Sequence, residues 1–506
     1  MGKPRATLWL IPLLGAVAVW YGTHSGAGIS RDSLYYIRGA ENIAHGNGYA
    51  VMSETGELDS VNHWPPLYSI VIAAPIGAGL SATQSVRLVN AISFLLTLWL
   101  SGMLVLRLSG RSHTAALIAM AFIAASPAIV HNHLMTWSET IFIPLVLAGF
   151  LKMQDYFERG RALDLIVAAA WFGLATVDRY AGAAFVLAVG VLLMLRDWKT
   201  MSASRLAHVA VFGAIACIPT LLWFARNYFT TSRAHDRPFV PHLLGIDHIR
   251  AAVDAVTLWL LPNWVSLRMR ALWLAIVVML VVFAIRSIPK PERSRIAAEL
   301  ASTGRFWGLM GLSVAAYLGF VFVTILFFDF DVNFDVRMMS PLYVLIVIAA
   351  AVAGQKLLSL PWKRPAYALA LALIVSFLLL AAYSVNHIGS SHRDAAQFGS
   401  ARWTQASAWN ALRSAPEGAR IYSTWPDVGM YFANRGVREF PSNSDDAYQA
   451  KIDAVAGELN GRPAFLLCYP GLDDSNVAMD ANARHALAPR MVDSTETVVL
   501  YELGAR

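Results

Sequence analysis

Eleven apolar runs, at 6–22, 86–106, 114–130, 139–157, 163–178, 180–195, 207–225, 270–285, 306–328, 341–359 and 366–385, constrain this chain more than any other feature. A bilayer-crossing segment needs roughly 20 predominantly apolar residues, with about 17 as the lower end. Lipid offers no hydrogen-bond partners, so each run is expected to satisfy its own backbone as a helix. Only 14% of the 506 residues are charged, against about a quarter in a soluble domain. These proportions exclude an ordinary soluble enzyme, a disordered chain and a nucleic-acid module. Asp178 and Arg179 split 163–178 from 180–195, which read as two short spans or one broken element. The first run follows Lys3 and Arg5 and has no small-residue cleavage site before Arg31, so it is expected to be a retained anchor.

The basic residues orient the spans. With the N-terminus in the cytoplasm, inside loops hold Lys3/Arg5, Arg107/Arg111, Lys152/Arg159/Arg161, Arg196/Lys199/Arg205, Arg286/Lys290/Arg293/Arg295 and Lys356/Lys363/Arg364. Of seven lysines only Lys451 falls on the other side, a positive-inside pattern. That pattern accounts for much of the net charge of +7 without a polyanion partner. The two cysteines, Cys217 in an apolar run and Cys468 in a polar region, are expected to stay unpaired. The expected architecture is an α-helical polytopic membrane module of about eleven spans over 1–385 and, over 386–506, a small extracytoplasmic α/β domain. In the latter, strand-like runs fall at 419–424, 464–469 and 497–502 and helix-like runs near 404–413 and 443–459.

Four outside segments carry the chemistry. In the first, 23–65, Asp32 or Ser33 can cap a helix, whose Leu34, Ile37, Ala40 and Ile43 recur at helical spacing and are expected to face lipid or the bundle. Gly46 suits the helix end, and Tyr49–Met52 with Thr55-Gly56 reads as a hairpin. Asp32 is either a cap or a general base at the membrane surface. Tyr36 lies on the same helix, and His63, Trp64 and Tyr68 follow in HWPPLY, either as interface residues or as the lining of a substrate pocket. Glu139, in the second segment and at the mouth of an apolar run, is costly there without a partner or a purpose; a helix N-terminus would favour it. Asp178 and Arg179 could neutralise each other, and Arg226 in the third segment, 226–269, could snorkel. Asp329, Asp331 and Asp335 precede Arg337 in the fourth, 329–340, and read as a solvated loop rather than a metal site. Together they bring acids and arginines to one membrane face. A lipid phosphate would explain that clustering, because arginine binds phosphate bidentately and stays charged at working pH.

The ordered set of motifs resembles a known family. An Asp follows the first span, a helix-hairpin loop ends in HWPPLY, Ser138-Glu139 opens the fourth span, and DRYAG, WFARNY and R-x-x-S-P follow at 178–182, 223–228 and 337–341. Over most of 1–360 this is similar to the GT-C glycosyltransferases, in the branch of the protein mannosyltransferases and the aminoarabinose transferase of lipid A. The resemblance implies inverting sugar transfer from a polyprenyl-phosphate donor to a glycan, lipid or protein hydroxyl on the outer face of the cell (inner or plasma) membrane. It implies Asp32 as catalytic base and Glu139 as a second acid that orients acceptor or metal. Arg179 and Arg337 fall at the family's basic positions, with Arg226 a third candidate for the donor phosphate. His63 and Trp64 stand where other members carry an acid–lysine pair, and Arg31 and Ser33 flank Asp32 where some carry adjacent acids. A divalent ion, Mg or Mn, is a second way to hold the phosphate, and these residues do not choose between the two. The competing reading is a transporter or flippase of a lipid-linked sugar; it predicts inverted repeats, and none is evident. A scaffold role would leave the charges at the membrane edge unexplained.

Overall fold

The computed structural model describes residues 7–195, 203–289, 304–330, 332–358, 364–441, 448–459, 462–470 and 481–504, together with 292, 294 and 472. Asp331 and the basic residues Lys3, Arg5, Arg196, Lys199, Lys290, Arg293, Arg295 and Lys363 lie outside these. Each apolar run found in the sequence is essentially helical over its described residues. The helices are α1 (Thr7–Gly22), α4 (Ala82–Leu108), α5 (His113–Ala125) with α6 (Pro127–Leu134), α7 (Glu139–Arg159), α8 (Ala162–Asp178), α9 (Gly182–Leu195), α10 (Ala203–Thr231), α12 (Leu267–Arg286), α13 (Gly304–Phe327), α14 (Val336–Leu358) and α15 (Arg364–Arg393). Among the described residues seven helices are long and apolar enough to cross a membrane, and α5–α6, bent by 60°, makes up to eight; α1, α8 and α9, of 16, 17 and 14 residues, are shorter. The chain is a multi-pass membrane protein. The bend follows from Pro127, which has no N–H to continue α5. Ser126 starts the new helix, and the Ser384 hydroxyl donates to the Ala125 carbonyl that the break leaves open. The apolar helix α3 (Leu67–Gly77), interrupted by Pro75, and α11 (Ile246–Leu258), in the third outside segment, were not anticipated.

By compactness the chain forms two units, one of residues 1–24, 62–68 and 86–392, the other of 25–61, 69–85 and 393–506. The helical unit is closed by large side chains between helices. Phe150 meets Phe172, Phe185 and Phe306 edge-on. At Gly149 a Cβ would lie 2.7 Å from the Phe172 ring, so the glycine lets α7 and α8 approach closely.

The second unit contains α2 (Arg31–Ala44), the hairpin β1 (Ala50–Met52)–β2 (Leu58–Ser60) and the C-terminal sheet. The sheet has β3 (Arg420–Ser423), β4 (Arg438–Glu439), β5 (Ala464–Cys468), β6 (Arg490–Ser494) and β7 (Val499–Leu503) in the order β4-β3-β5-β7-β6; β4, β3 and β5 run parallel and the rest antiparallel. The period-two alternation of a strand sorts β5 between two cores. Leu467 packs with Trp403, Trp409 and Tyr469, whereas Ala464, Leu466 and Cys468 pack with Ile452 and Leu459. Helices α16 (Ala401–Thr404), α17 (Ala408–Ser414), α18 (Pro426–Ala433), α19 (Tyr448–Leu459) and α20 (Ala481–Leu487) flank the sheet.

Two expectations for α2 change. The helix is capped by Ser30, whose N–H donates to the Ser33 hydroxyl at 2.9 Å; Asp32 stands inside the first turn instead. Leu34 belongs to the aromatic core of Trp403, Trp409 and Tyr469, so this part of the apolar face is covered by the sheet domain rather than by lipid or the bundle. Segment 25–61 therefore packs with 393–506, which composition alone does not show.

Candidate active site

Helix α7 starts at a buried acid. Glu139, 1% exposed, occupies its first turn, where the helix dipole favours negative charge. Its Oε1 receives two guanidinium groups: Arg337 donates from Nε at 2.5 Å and Arg179 lies at 2.6 Å through Nη1. Arg179 is delivered by the extended residue that ends α8, and Arg337 by the first turn of α14. Arg179 also donates to the Ser138 hydroxyl at 3.0 Å, and the Arg337 guanidinium stacks 4.5 Å above the Trp137 ring. Asp335 caps α14 by accepting the Met338 N–H at 2.7 Å; burial pushes its carboxyl up, against the pull of that bond and of Arg337.

The cluster is incompletely satisfied. Among the described residues, neither Glu139 Oε2 nor either carboxylate oxygen of the fully buried Asp178 has a hydrogen-bond partner. Asp178 and Arg179 thus do not close on each other, as their adjacency suggested; Arg179 turns to Glu139. A buried polar atom without a partner costs roughly 1–3 kcal/mol, so these oxygens call for a water, an ion or a ligand to satisfy them.

A second cluster follows from the HWPPLY segment. His63 Nδ1 lies 3.0 Å from Asp236 Oδ1, Arg237 Nη2 lies 3.1 Å from His63 Nε2, and Arg237 Nη1 lies 3.3 Å from Asp329. Burial alone would raise the Asp236 carboxyl, but the hydrogen bond and charge of His63, with Arg237, hold it below the usual range. The Trp64 ring sits 4.4 Å from that of His63. Trp223 on α10 donates to the Tyr180 hydroxyl at 2.9 Å and carries Arg226 5.2 Å over its ring. Tyr180, next to Arg179 in sequence, also feels the charges of Asp236 and Arg237.

The structure brings Glu139, Arg179 and Arg337 into contact. Tyr68, fully buried, donates to Asn90, which in turn donates to the carbonyls of His133 and Met135. Tyr68 thereby fixes the chain just before Trp137 and Glu139. Asp32 and Tyr36 belong to the other unit. Asp32 is half-buried on α2, near Arg31 and Tyr35; Tyr36 is buried, its carbonyl accepting from Ser69 at 3.1 Å. The sequence reading passed over Trp137 and the pairing of Asp236 and Arg237 with His63. An aromatic two residues before a buried acid was the available signal for the first; the second depends on a loop meeting the chain 173 residues away. Among the described residues no group of three or more His, Cys, Asp or Glu side chains could hold a metal ion, and two arginines on Glu139 oppose a cation there.

Residues 63–223, under half of the chain, match the model of the dolichyl-phosphate-mannose-protein mannosyltransferases; the match includes His63, Glu139, Arg179 and Tyr180. No curated protein sequence matches. Among solved structures, ArnT from Cupriavidus metallidurans bound to undecaprenyl phosphate aligns at TM-score 0.55 and 14% identity, covering 98% of each chain. AglB from Archaeoglobus fulgidus, in complex with an inhibitory peptide and a dolichol-phosphate, aligns at TM-score 0.52 and 12% identity over 92% of this chain and 70% of that one. The arabinofuranosyltransferase AftD from Mycobacteria aligns at TM-score 0.60 and 15% identity over all of this chain but 40% of its own. At such identities the likeness is one of fold: the chain has the GT-C fold, with a small sheet-containing region at its C-terminus.

Proposed function

We propose that the chain is an inverting glycosyltransferase that moves a sugar from a polyprenyl-phosphate donor to an acceptor hydroxyl at the extracytoplasmic face of the membrane. The observation that carries this reading is the Glu139 cluster, where one oxygen of a buried carboxylate holds two arginines, 11% and 16% exposed, in fixed positions. Guanidinium groups so held need no reorganisation when charge develops on a leaving phosphate, which is the arrangement electrostatic catalysis requires. In this reading the two guanidinium groups are the phosphate donors, Arg226 is the further candidate, and the polyprenyl tail lies among the apolar helices. The ArnT and AglB structures, named for undecaprenyl phosphate and dolichol-phosphate, support the choice of donor class.

In the reaction, the acceptor oxygen attacks the anomeric carbon while its proton passes to the Asp32 carboxylate. The bond from that carbon to the phosphate oxygen breaks, and its electron pair leaves with the phosphate. The products are polyprenyl phosphate and a glycoside of inverted configuration. A positioned base contributes on the order of 100- to 10,000-fold. The test is turnover of radiolabelled undecaprenyl-phosphate sugar by the purified protein. Asp32→Asn is expected to abolish transfer while the protein stays folded and still binds undecaprenyl phosphate. Full transfer by that variant removes Asp32 from the mechanism, and vesicle translocation without turnover replaces the enzyme by a transporter.

A further inference from the structure

The second unit contains a cavity of about 330 Å³ that the reaction above does not use. It lies between α2, the β1–β2 hairpin and α18, and its polar wall consists of Tyr35, Arg38, Glu41, Asp427, Tyr431 and Asn434. The volume is at the lower end of small-molecule pockets, which run from about 300 to 1,000 Å³.

Its walls are fixed. At the hairpin tip Gly56 (φ 90°) lies against Gly436, where a Cβ would come within 2.5 Å of the Gly56 nitrogen. Asn42 donates to the Ala50 carbonyl at 2.8 Å, tying α2 to the hairpin. Arg38 donates to the Tyr431 carbonyl and stacks 4.8 Å over its ring, tying α2 to α18.

The charges in this wall are already paired. Arg31 meets Asp427 at 2.5 Å and Arg38 meets Glu41 at 2.8 Å. No surplus cation is left to select a phosphate. Burial, with the charge of Asp427, raises the Tyr35 phenol to about 12, so it stays a neutral donor at any working pH. Aromatic rings beside planar, pre-paired hydrogen-bonding groups suit a ligand with apolar ring faces and a rim of hydroxyls. Tyr35, Arg38 and Asn42 recur along one face of α2, and Asp32 continues that face one turn earlier.

We infer that this cavity binds a neutral sugar residue of the acceptor, so that the acceptor is a glycan presented along α2 toward Asp32. The site itself stands on the cavity; only its link to the acceptor rests on the proposed transferase function.

The test is calorimetry of the full-length protein in nanodiscs with neutral disaccharides of glucose, mannose and galactose. Inorganic phosphate and a Ser/Thr-rich peptide serve as alternatives. At least one disaccharide is expected to bind in the millimolar range or tighter. Leu58→Trp, an exposed strand residue at the cavity mouth, should weaken that binding more than about tenfold, a change of about 1.4 kcal/mol. Asn434→Gly, which suits the left-handed backbone there (φ 54°), should weaken it less. Arg337→Lys should leave it unchanged. No disaccharide binding, equal binding by Leu58→Trp, or preferential binding of phosphate or peptide overturns the inference. Undecaprenyl phosphate binding is measured in the same samples: if it fails while disaccharides still bind, the transferase reading falls and the sugar site stands.

Discussion

The two ends of α7 carry two ion-pair clusters of opposite character. Asp155 follows Glu139 by 16 residues along the helix, so the clusters are separated by about 24 Å. At the C-terminal end Asp155 accepts Arg107 at 2.7 Å and Arg159 at 3.3 Å on one oxygen and Lys152 at 3.1 Å on the other; Lys152 also reaches Asp164 at 3.7 Å. Both Asp155 oxygens are used, although Asp164 Oδ2 has no partner among the described residues, and Lys152 and Arg159 are more than a third exposed. At the N-terminal end both arginines share one oxygen of Glu139, the other oxygen is idle, and Asp178 is unsatisfied among the described residues. A central acid with both oxygens paired acts as an anchor; one with an idle buried oxygen carries a cost that a ligand can relieve. The comparison assigns anchoring to one end of α7 and binding to the other.

Mutating the two acids separates these roles most strongly. Glu139→Ala leaves two guanidinium groups buried without their anion, at a cost of about 3–5 kcal/mol, and is expected to lower transfer at least about 100-fold. Asp155→Asn is expected to cost only about 1–2 kcal/mol, because two of its three cations reach water, and to leave transfer unchanged. Thermal unfolding and turnover read both; equal losses of transfer would erase the distinction. Next in size is Arg337→Lys, which keeps the charge but loses the fork. Undecaprenyl phosphate affinity should fall about tenfold, or about 1.4 kcal/mol, with little change in unfolding midpoint; unchanged affinity removes Arg337 from the phosphate site.

Much of this contrast was visible in the sequence, but not its contacts. The runs at 139–157 and 163–178 became α7 and α8 because a 20-residue apolar stretch in lipid has few alternatives to a helix. That made Glu139 and Arg159 legible as opposite ends. The partners were not legible: Arg337 reaches Glu139 across 198 residues, and the sequence placed them only on the same face. Arg179 invited pairing with Asp178 because adjacency is all that local pattern offers. Helix α3 was missed because Pro75 and its short length weaken the apolar signal. The strands β3, β5 and β7 were found from their β-branched and aromatic runs, whereas the union of Leu34 with Trp403 and Trp409 depends on tertiary packing that periodicity cannot encode.

A smaller effect separates the clusters by solvent. Raising salt to 1 M shortens the screening length to about 3 Å, so unfolding should respond through the exposed Lys152 and Arg159, and the salt response should largely vanish in Asp155→Asn but persist in Glu139→Gln. The smallest concerns Asp236. Its folded carboxyl titrates below the usual range, so its stabilising contribution is complete above that range and is lost as pH falls through the depressed value. Amide protection against hydrogen exchange in 233–245 should fall as the pH drops below about 4, and Asp236→Asn should flatten that fall. A pH response identical in the variant would show that the His63 pair does not hold this loop.

The most direct measurement is an experimental structure with undecaprenyl phosphate bound. The account predicts the phosphate within hydrogen-bond distance, about 2.7–2.9 Å, of the Arg179 and Arg337 guanidinium groups, with Glu139 still between them. A phosphate seated instead at Arg107, Lys152 and Arg159, or away from both ends of α7, would contradict it.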